Sequence, residues 1–481
     1  MRCGDIMDER HAGHGELPNG RNQMNCNCIR RFSKICRVSV LLIGASTAAS
    51  TAIAQVEATN FCKAGNAKLK AGDVDGAIAD YTEAIRIKPD YTYAYFDRGN
   101  AKRAQRNWDE AATDYTKAIQ FGPDFAPAYL YRGVSRWEEK DLDGASADFN
   151  KVIEIQATNA LAYRYIGALK HQSGDLAGAL AAFDESIKYN PNDAAAYHGR
   201  GDVKKDMQDF DGALADLKKA IELAPKYGSA YAERGEVEND KSDWGEAVID
   251  DTKAIQFGSG DPTIYYNRAI AEAENGDADA AMNDYNKAIQ MAPDFAQAYN
   301  NRGILKKNKG DLDGALADYN KAIEIDPTLA EPYATRGNIE KNRGDLDHAL
   351  ADFNTSIRLD PNSDPAYNGR GSVERSKGDF KAAIADYSKA IEINPEHEDY
   401  YFNRGNAEKD NKDFDDAIDD FSKAIQLNAQ DAESFKCRGD AKDLKGDLNG
   451  ALADYNQACS LDPQNNDFNA ALAKAKAQLN K

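Results

Sequence analysis

Apolar, small and turn-forming positions along this chain recur with a fixed period of 34 residues. The stretch 310–327 reads Gly-Asp-Leu-Asp-Gly-Ala-Leu-Ala-Asp-Tyr-Asn-Lys-Ala-Ile-Glu-Ile-Asp-Pro, and close variants begin at Gly276 and Gly344. A long array with one fixed period of this length predicts an all-α solenoid of stacked helix pairs, in which each pair buries its apolar side against its neighbours.

The register predicts twelve repeats with no insertion or deletion, whose positions we number from 1 to 34. They span 58–91, 92–125, 126–159, 160–193, 194–227, 228–261, 262–295, 296–329, 330–363, 364–397, 398–431 and 432–465. The predicted organisation is a leader over 1–54, repeats one to six over 58–261 and repeats seven to twelve over 262–465. Apolar spacing at Phe468, Leu472, Ala475 and Leu479 predicts a capping helix over 466–481.

Recurring residue types predict where the helices of each repeat meet and end. Position 4 is aromatic throughout, position 8 is Gly except at Ala269, and position 20 is always Ala. Small residues allow two antiparallel helices to approach closely while aromatic side chains fill the space beyond. Asp or Asn at position 16, as in Asp311, suits a helix N-cap. Gly at position 15, as in Gly310, and Pro at position 32, as in Pro327, end the first and second helices.

This order of residues resembles the tetratricopeptide repeat over residues 58–465. The resemblance implies a right-handed superhelix of twelve helix–turn–helix repeats whose first helices line a concave groove. The chain departs from the commonest family pattern at position 7, where Arg replaces the usual Leu in ten repeats.

Position 7 is Arg in ten repeats and position 23 is Asp in eleven. One repeat lacks both, since it carries Ile166 and Ala182. This joint loss predicts that the Arg and the Asp of one repeat meet, as Arg302 would meet Asp318. A partly buried row of such pairs would favour correct stacking more than raw stability.

Two neighbouring repeats deviate from the pattern. Asp251 stands where other repeats have Tyr, Phe or Leu, Ser259 replaces the terminal Pro, and Ala269 replaces Gly. A carboxylate in an apolar position is costly unless it is paired. We therefore expect a soft point around residues 251–269 that divides the array six and six.

The composition disfavours several classes of binding partner and a fold that is held together by disulfides. A net charge of −20 disfavours nucleic acid and anionic membranes as main partners. Of seven cysteines, four lie in the leader, so no disulfide framework holds the fold. Cys437 and Cys459 lie on consecutive predicted helices and are interpreted as two buried thiols, with a disulfide between them as the alternative. We expect a monomer.

The leader predicts export. Residues 30–37 are basic, residues 38–49 form a short apolar run, and Ala52-Ile53-Ala54 is a small-x-small site before Gln55. This order describes a secretory signal, which starts either at Met24 or after an extended leader. The apolar run is too short for a membrane span. The predicted location is therefore periplasmic or secreted. The alternative is a cytoplasmic protein whose leader is a disordered tail.

No sequence motif predicts catalysis, a cofactor or a metal. The chain contains no phosphate-binding loop, dinucleotide fingerprint, zinc-protease motif or nucleophile elbow. The Asp-x-Asp-Gly runs lack the remaining ligands of a calcium loop and are explained by helix capping. His171, His198, His348 and His397 lie in separate repeats without a metal-ligand spacing and are predicted to be solvated or packed.

In the family that the chain resembles, first-helix positions 2, 5, 6, 9, 12 and 13 usually face the groove. Position 12 is a row of cations in four successive repeats, and Asn is frequent nearby. Asn can donate to and accept from a peptide backbone, and the cations could hold acidic side chains. The predicted ligand-binding residues are Asn300, Lys307, Asn338, Lys341, Asn368, Arg375, Asn406 and Lys409. The alternative is a solvated surface with the cations paired to Glu340, Glu374 and Glu408.

The leading functional hypothesis is a non-enzymatic scaffold that holds a protein or peptide in its groove over residues 296–410, with an acidic segment as a candidate ligand. The alternative is a structural assembly factor that organises an envelope complex through its convex surface. Nucleic-acid binding is disfavoured because the basic row is short and has few interleaved aromatic residues.

Overall fold

The computed structural model describes residues 34–479, with side chains from Ala52 onward. Helices and short turns make up this part of the chain, and it contains no strand. Residues 1–33, which include Met24 and the first basic residues of the predicted signal, lie outside the described part. Among the helices that are described, none combines the length and the apolarity of a membrane span.

The chain divides into two compact units, Met1–Ser259 and Gly260–Lys481. The described helices of the N-terminal unit are α1 (Lys34–Lys70), α2 (Val74–Ile87), α3 (Thr92–Ala104), α4 (Trp108–Phe121), α5 (Ala126–Glu138), α6 (Leu142–Ile155), α7 (Ala160–Gln172), α8 (Leu176–Tyr189), α9 (Ala194–Asp206), α10 (Phe210–Leu223), α11 (Gly228–Asp240) and α12 (Trp244–Gln256).

Those of the C-terminal unit are α13 (Pro262–Glu274), α14 (Ala278–Met291), α15 (Ala296–Asn308), α16 (Leu312–Ile325), α17 (Glu331–Asn342), α18 (Leu346–Leu359), α19 (Asp364–Ser376), α20 (Phe380–Ile393), α21 (Glu398–Asn411), α22 (Phe414–Leu427), α23 (Ala432–Lys445), α24 (Leu448–Leu461) and α25 (Asn466–Leu479). Odd-numbered helices α1 to α23 are the first helices of their pairs, and even-numbered helices are the second. Within each unit, every helix packs on the next along the chain, which is the predicted α-solenoid arrangement.

The turn inside each pair follows the predicted capping rules. Gly314 N–H donates to Asp311 Oδ1 (2.9 Å) at the start of α16, and eight other second helices carry the same Asp cap. Asn107, Asp243 and Asp413 make no such bond. Position 15 has a positive φ in all twelve turns, including five where the residue is not glycine: Arg106, Lys140, Gln208, Ser242 and Lys412. The turn between the two helices therefore requires a left-handed backbone conformation at position 15, whichever residue stands there.

A close contact with the second helix sets the spacing of the eleven pairs that have Gly at position 8. A β-carbon built on Gly303 of α15 would lie 2.6 Å from Cε1 of Tyr319 on α16. Tyr319 is fully buried, as are Ala315 and Ala322 of the same helix. The second helix therefore lies directly against the backbone of the first, as the small residues predicted.

The predicted Arg–Asp pairs are confirmed. Arg302 donates from Nε and Nη2 to the two carboxylate oxygens of Asp318 (2.8 and 2.7 Å). Its Nη1 also donates to Asn286 on the preceding second helix (2.6 Å). The guanidinium thus connects three helices from two successive pairs. In the first pair, which has no Arg, Lys68 contacts Asp80 instead (2.8 Å).

Two details of the packing differ from the sequence-based expectation. Phe468 and Ala475 of α25 are buried as expected of a capping helix, but Leu479 is 39% exposed because it lies in the final turn. Cys437 and Cys459 are both free thiols, and Cys459 is only partly buried. Asp251 is fully buried in its aromatic position, and the soft point around residues 251–269 remains a prediction.

The contact between Gly303 and Tyr319 predicts the cost of a single methyl group. Gly303→Ala should destabilise the protein by about 1–3 kcal/mol because the new methyl group forces the ring or the helix to move. Chemical unfolding followed by circular dichroism measures the loss. Gly245→Ala is the matched control, since its new methyl group would meet nothing within 4 Å. Equal effects of the two substitutions would contradict this account of the helix spacing.

Candidate functional site

First helices of the C-terminal unit contact each other through polar side chains that lie about one repeat apart. Asn301 donates to the Tyr266 hydroxyl (3.2 Å), Asn403 donates to Asn368 Oδ1 (2.9 Å), and Arg375 donates to Asp410 (2.7 Å). These residues occupy positions 5, 6, 12 and 13 of their repeats. Positions 5, 6, 12 and 13 of the odd-numbered helices α13 to α23 therefore lie on one surface. Positions 2 and 9 are three or four residues from these and share that side of the helix. We call this surface the first-helix face.

The four cations of position 12 lie on this face but differ in their partners. Arg375 is paired with Asp410 on the next first helix (2.7 Å). Lys409 is 3.9 Å from Asp440, which already pairs with Lys436 at 2.9 Å. Lys307 and Lys341 have no ion-pair partner among the described residues.

The glutamates that were the alternative partners of these cations lie elsewhere. Glu340 and Glu408 face the position-7 arginines, with Arg336 Nε 4.0 Å from Glu340 Oε1 and Arg404 Nε 3.8 Å from Glu408 Oε1. Helix geometry explains this, because residues four apart share one side of the helix whereas adjacent residues do not. The charges of Lys307 and Lys341 are therefore not neutralised by these glutamates.

Lys341 also loses hydration. Burial lowers the pKa of its ammonium group below the ordinary lysine value, and no neighbouring carboxylate offsets this effect. An ammonium group that is partly stripped of water gains more from an anionic ligand than a fully hydrated one does. Among the predicted binding residues, Lys341 is therefore the one that most clearly lacks a compensating negative charge.

The four predicted asparagines differ in their accessibility. Asn300 and Asn406 are buried, with donors engaged by Glu331 Oε2 (2.9 Å) and the Phe402 carbonyl (3.1 Å). Asn338 and Asn368 are partly exposed. Asn338 donates to the Ala334 carbonyl (3.1 Å), while Asn368 accepts from Asn403. The amides of Asn338 and Asn368 are the ones that a ligand can reach.

In the N-terminal unit, the structure assembles a cluster that the sequence spacing concealed. His171 Nε2 lies 2.7 Å from Asp206, and its Nδ1 lies 3.5 Å from Asp202. The sequence shows no metal-ligand spacing around His171, because these carboxylates lie in the next repeat. His171 is at position 12 of its repeat, and Asp202 and Asp206 are at positions 9 and 13 of the next one. The two carboxylates are therefore 31 and 35 residues away in sequence, too far for a short motif to reveal the cluster.

This cluster has ligand types that a divalent cation accepts, since its ligand atoms lie within 4.8 Å of one another. However, the ammonium group of Lys205 contacts Glu233 and Glu236 and lies 3.7 Å from Asp202. Burial, followed by the charge of Glu233, raises the pKa of Asp202 to about 8. The arrangement is explained as an ion-pair network between neighbouring first helices.

Family models cover much of the chain. The model described as TPR repeat matches residues 65–105, 271–309, 371–411 and 439–480. Three models described as tetratricopeptide repeat match 296–329 and 398–431, 96–160, and 194–227 and 330–363. The chain belongs to the tetratricopeptide repeat family. No curated protein matches it.

Solved tetratricopeptide structures are similar to this chain. The Cut9–Hcn1 hetero-tetramer of APC/C is 13% identical, covers 89% of this chain and 98% of its own, and has a TM-score of 0.50. Yeast Tom70 is 18% identical over 82% of this chain and 96% of its own, with a TM-score of 0.39. YrrB, described as a TPR protein with an unusual peptide-binding site, is 24% identical over 39% of this chain and 96% of its own, with a TM-score of 0.34. The likeness to Cut9 shows the shared fold.

Tetratricopeptide repeat proteins are protein–protein interaction scaffolds that are typically non-catalytic. The first-helix face offers cations and amides for binding, and some of its charged residues, such as Arg375 and Asp410, form ion pairs between successive first helices. This protein is therefore a scaffold for protein or peptide partners.

The state of Lys341 yields a prediction that a titration can check. Its dimethylated amine, labelled with ¹³C, should titrate at a lower pH than that of Lys445, because burial lowers the pKa of Lys341 whereas Asp415 raises the pKa of Lys445. NMR resonances of the ¹³C-methylated protein give both midpoints, and Lys341→Arg assigns the signal. A Lys341 midpoint equal to or above that of Lys445 would contradict the burial of this amine.

Proposed function

We propose that the protein holds an extended acidic peptide or protein segment on the first-helix face of its C-terminal unit, over residues 296–410. The observation that carries this proposal is the pair Lys307 and Lys341, two cations on successive first helices without carboxylate partners among the described residues. In a chain with a net charge of −20, unneutralised cations at equivalent positions favour an anionic ligand from outside.

The neighbouring groups suit a peptide. Side chains of Asp or Glu would pair with the ammonium groups of Lys307 and Lys341 in charge-assisted hydrogen bonds. The amides of Asn338 and Asn368 can donate to and accept from a peptide backbone. Arg375 and Lys409 already have acidic neighbours, so they would contribute less than the two lysines. Asn300 and Asn406 are buried and are proposed to position the helices.

Charge reversal at the two unpaired lysines tests the proposal. The variant with Lys307→Glu and Lys341→Glu should bind an Asp/Glu-rich peptide at least about tenfold more weakly, because charge-assisted hydrogen bonds contribute about 1.5–3 kcal/mol each. Fluorescence anisotropy with a labelled peptide of about ten residues measures the affinity. A Lys/Arg-rich peptide of the same length tests whether the preference is for acidic ligands.

The matched control is the variant with Lys321→Glu and Lys389→Glu. These lysines lie on second helices of the same unit, each beside a Glu at 2.9 Å, and their reversal changes the net charge by the same amount. The proposal requires this control to bind the acidic peptide as the wild type does. Equal losses in both variants would refute a specific site on the first-helix face. A loss in the control alone would also refute it and would favour the alternative of an assembly factor that acts through its convex surface.

We also propose that the protein is exported to the periplasm or secreted, with cleavage after Ala54. The helical core supports this, because it begins at Ala58 and Cys62, whereas Ile53 and Val56 are 67% and 62% exposed. Gln55 remains to contact Lys88 and to accept from Thr59 (2.7 Å). Cleavage before Gln55 would therefore remove no residue of the described core.

Sequencing the N-terminus of the protein produced in a bacterial host with a secretion pathway checks the export proposal. The expected mature protein begins at Gln55 and is found outside the cytoplasm. The variant with Ala52→Arg and Ala54→Arg should keep its leader, because the signal peptidase site requires small residues at these positions. Recovery of the wild type from the cytoplasm with Met1 intact would refute export.

A further inference from the structure

Repeat position 11 lies on the first helix of each pair, one turn after the position-7 Arg. It is basic in seven repeats and acidic in five. The acidic residues are Glu238, Glu272, Glu340, Glu374 and Glu408. Repeats with a basic residue at position 11 can therefore be compared with repeats that have an acidic residue there, within one chain.

Where position 11 is basic, it completes a balanced layer of charges. Lys306 Nζ lies 2.7 Å from Asp318, whose carboxylate also accepts from Arg302. Five equivalent contacts between position 11 and position 23 lie at 2.7–3.0 Å. Lys170, whose repeat has Ala182 in place of the Asp, contacts Asp175 instead (3.4 Å). The position-23 Asp is therefore the normal partner of a basic residue at position 11.

Where position 11 is Glu, the same place holds two carboxyl groups and one guanidinium. Asp420 accepts from Arg404 Nε at 2.6 Å, and the Arg404 Nε is 3.8 Å from Glu408. In the pairs Glu374–Asp386 and Glu408–Asp420 the two carboxyl groups lie close enough for the charge of the Asp to act on the Glu. The arginine is thus held by the Asp, and the Glu is left beside another acid.

In the part of the chain that the structure describes, all five position-11 glutamates lack a hydrogen bond at the same carboxylate oxygen. Oε2 of each of the five position-11 glutamates is buried and has no hydrogen-bond partner among the described residues. A buried carboxylate oxygen without a donor is costly, and a second carboxylate nearby increases the cost. A proton removes both difficulties, because a carboxylic acid has an O–H donor and the adjacent Asp has oxygens that accept.

We propose that the five position-11 glutamates are proton-binding sites, each of which takes up a proton in the folded protein and offers it to the position-23 Asp of its own helix pair. Each layer then contains one cation and one anion. The proton thus takes the place that the Lys ammonium group occupies in the other repeats.

The electrostatic environment supports this assignment. Burial first, and the charge of the position-23 Asp second, raise the pKa of Glu238 and Glu408 to about 8 and that of Glu272 and Glu374 to about 7. The same two causes raise the pKa of Glu340. The charged groups that face the five glutamates are Asp250, Arg234, Glu246 and Asp243 for Glu238; Asp284, Arg268 and Asp277 for Glu272; Asp352, Arg336, His348 and Asp345 for Glu340; Asp386, Arg370 and Asp379 for Glu374; and Asp420, Arg404 and Asp416 for Glu408.

The direction of the pH dependence follows from these shifts. In the unfolded chain these glutamates release their protons near the ordinary carboxyl pKa, whereas in the folded protein Glu238, Glu272, Glu374 and Glu408 keep them to about pH 7–8. The folded state therefore binds more protons over this window, and stability falls as pH rises from about 5 to about 8. At pH 7 the four sites with pKa values of about 7 and 8 together account for about three protons taken up on folding.

Reciprocal substitutions test the proposal on the full chain. Glu408→Lys restores the charge pattern of the other repeats, and Lys306→Glu creates a sixth acidic layer. Chemical unfolding between pH 5 and 9 gives the folding equilibrium constant. Between pH 6 and 7 this constant should fall about tenfold less in Glu408→Lys than in the wild type, because one proton site is lost, and more steeply in Lys306→Glu.

A second readout does not depend on stability. The infrared carbonyl band of protonated carboxylic acid should be present at pH 6, fade by pH 9, and be weaker in Glu408→Gln, whose amide keeps the contact with Asp420 without titrating. Wild-type and Glu408→Gln proteins with the same band and the same pH slope would overturn the proposal. A Lys306→Glu variant whose pH slope equals that of the wild type would overturn it as well.

Discussion

The close approach of the two helices in each pair is the constraint on which the rest of the structure depends. Gly at position 8 allows the ring or aliphatic side chain of position 24 to lie against the backbone of the first helix, as Tyr319 lies against Gly303. Buried Ala residues at positions 20 and 27 keep the same separation along the second helix. With little space left between the helices, each pair has one register, and the same positions return to the same places in every pair.

The same helix spacing brings positions 7, 11 and 23 together. Their charged side chains form a layer beside the contact between the two helices. The Arg reaches both its own Asp and the preceding second helix, as Arg302 reaches Asp318 and Asn286. The Asp of such a pair is buried and the Arg is mostly buried, so the value of the pair lies more in orienting successive helix pairs than in net stability. Position 11 then decides whether the layer carries an extra cation or an extra acid, and this choice changes the response of the protein to pH.

Because these layers hold the helices together, the first-helix face can be polar without weakening the core. Its contacts between successive helices are hydrogen bonds and ion pairs such as Arg375–Asp410. Where such a partner is absent, as for Lys307 and Lys341, a cation remains available to a ligand. In the function that we propose, the ligand binds at such gaps in a repeating polar pattern.

The sequence alone determined the helix pairs, their turns, the Arg–Asp contacts and the family, because each of these depends on residues at fixed spacing within one repeat. It also identified the row of cations at position 12. Only the tertiary structure decided which of these cations are paired, that Asn300 and Asn406 are buried, and that His171 meets Asp202 and Asp206. Those facts depend on contacts between neighbouring repeats and on depth below the surface, and the 34-residue pattern encodes neither of them.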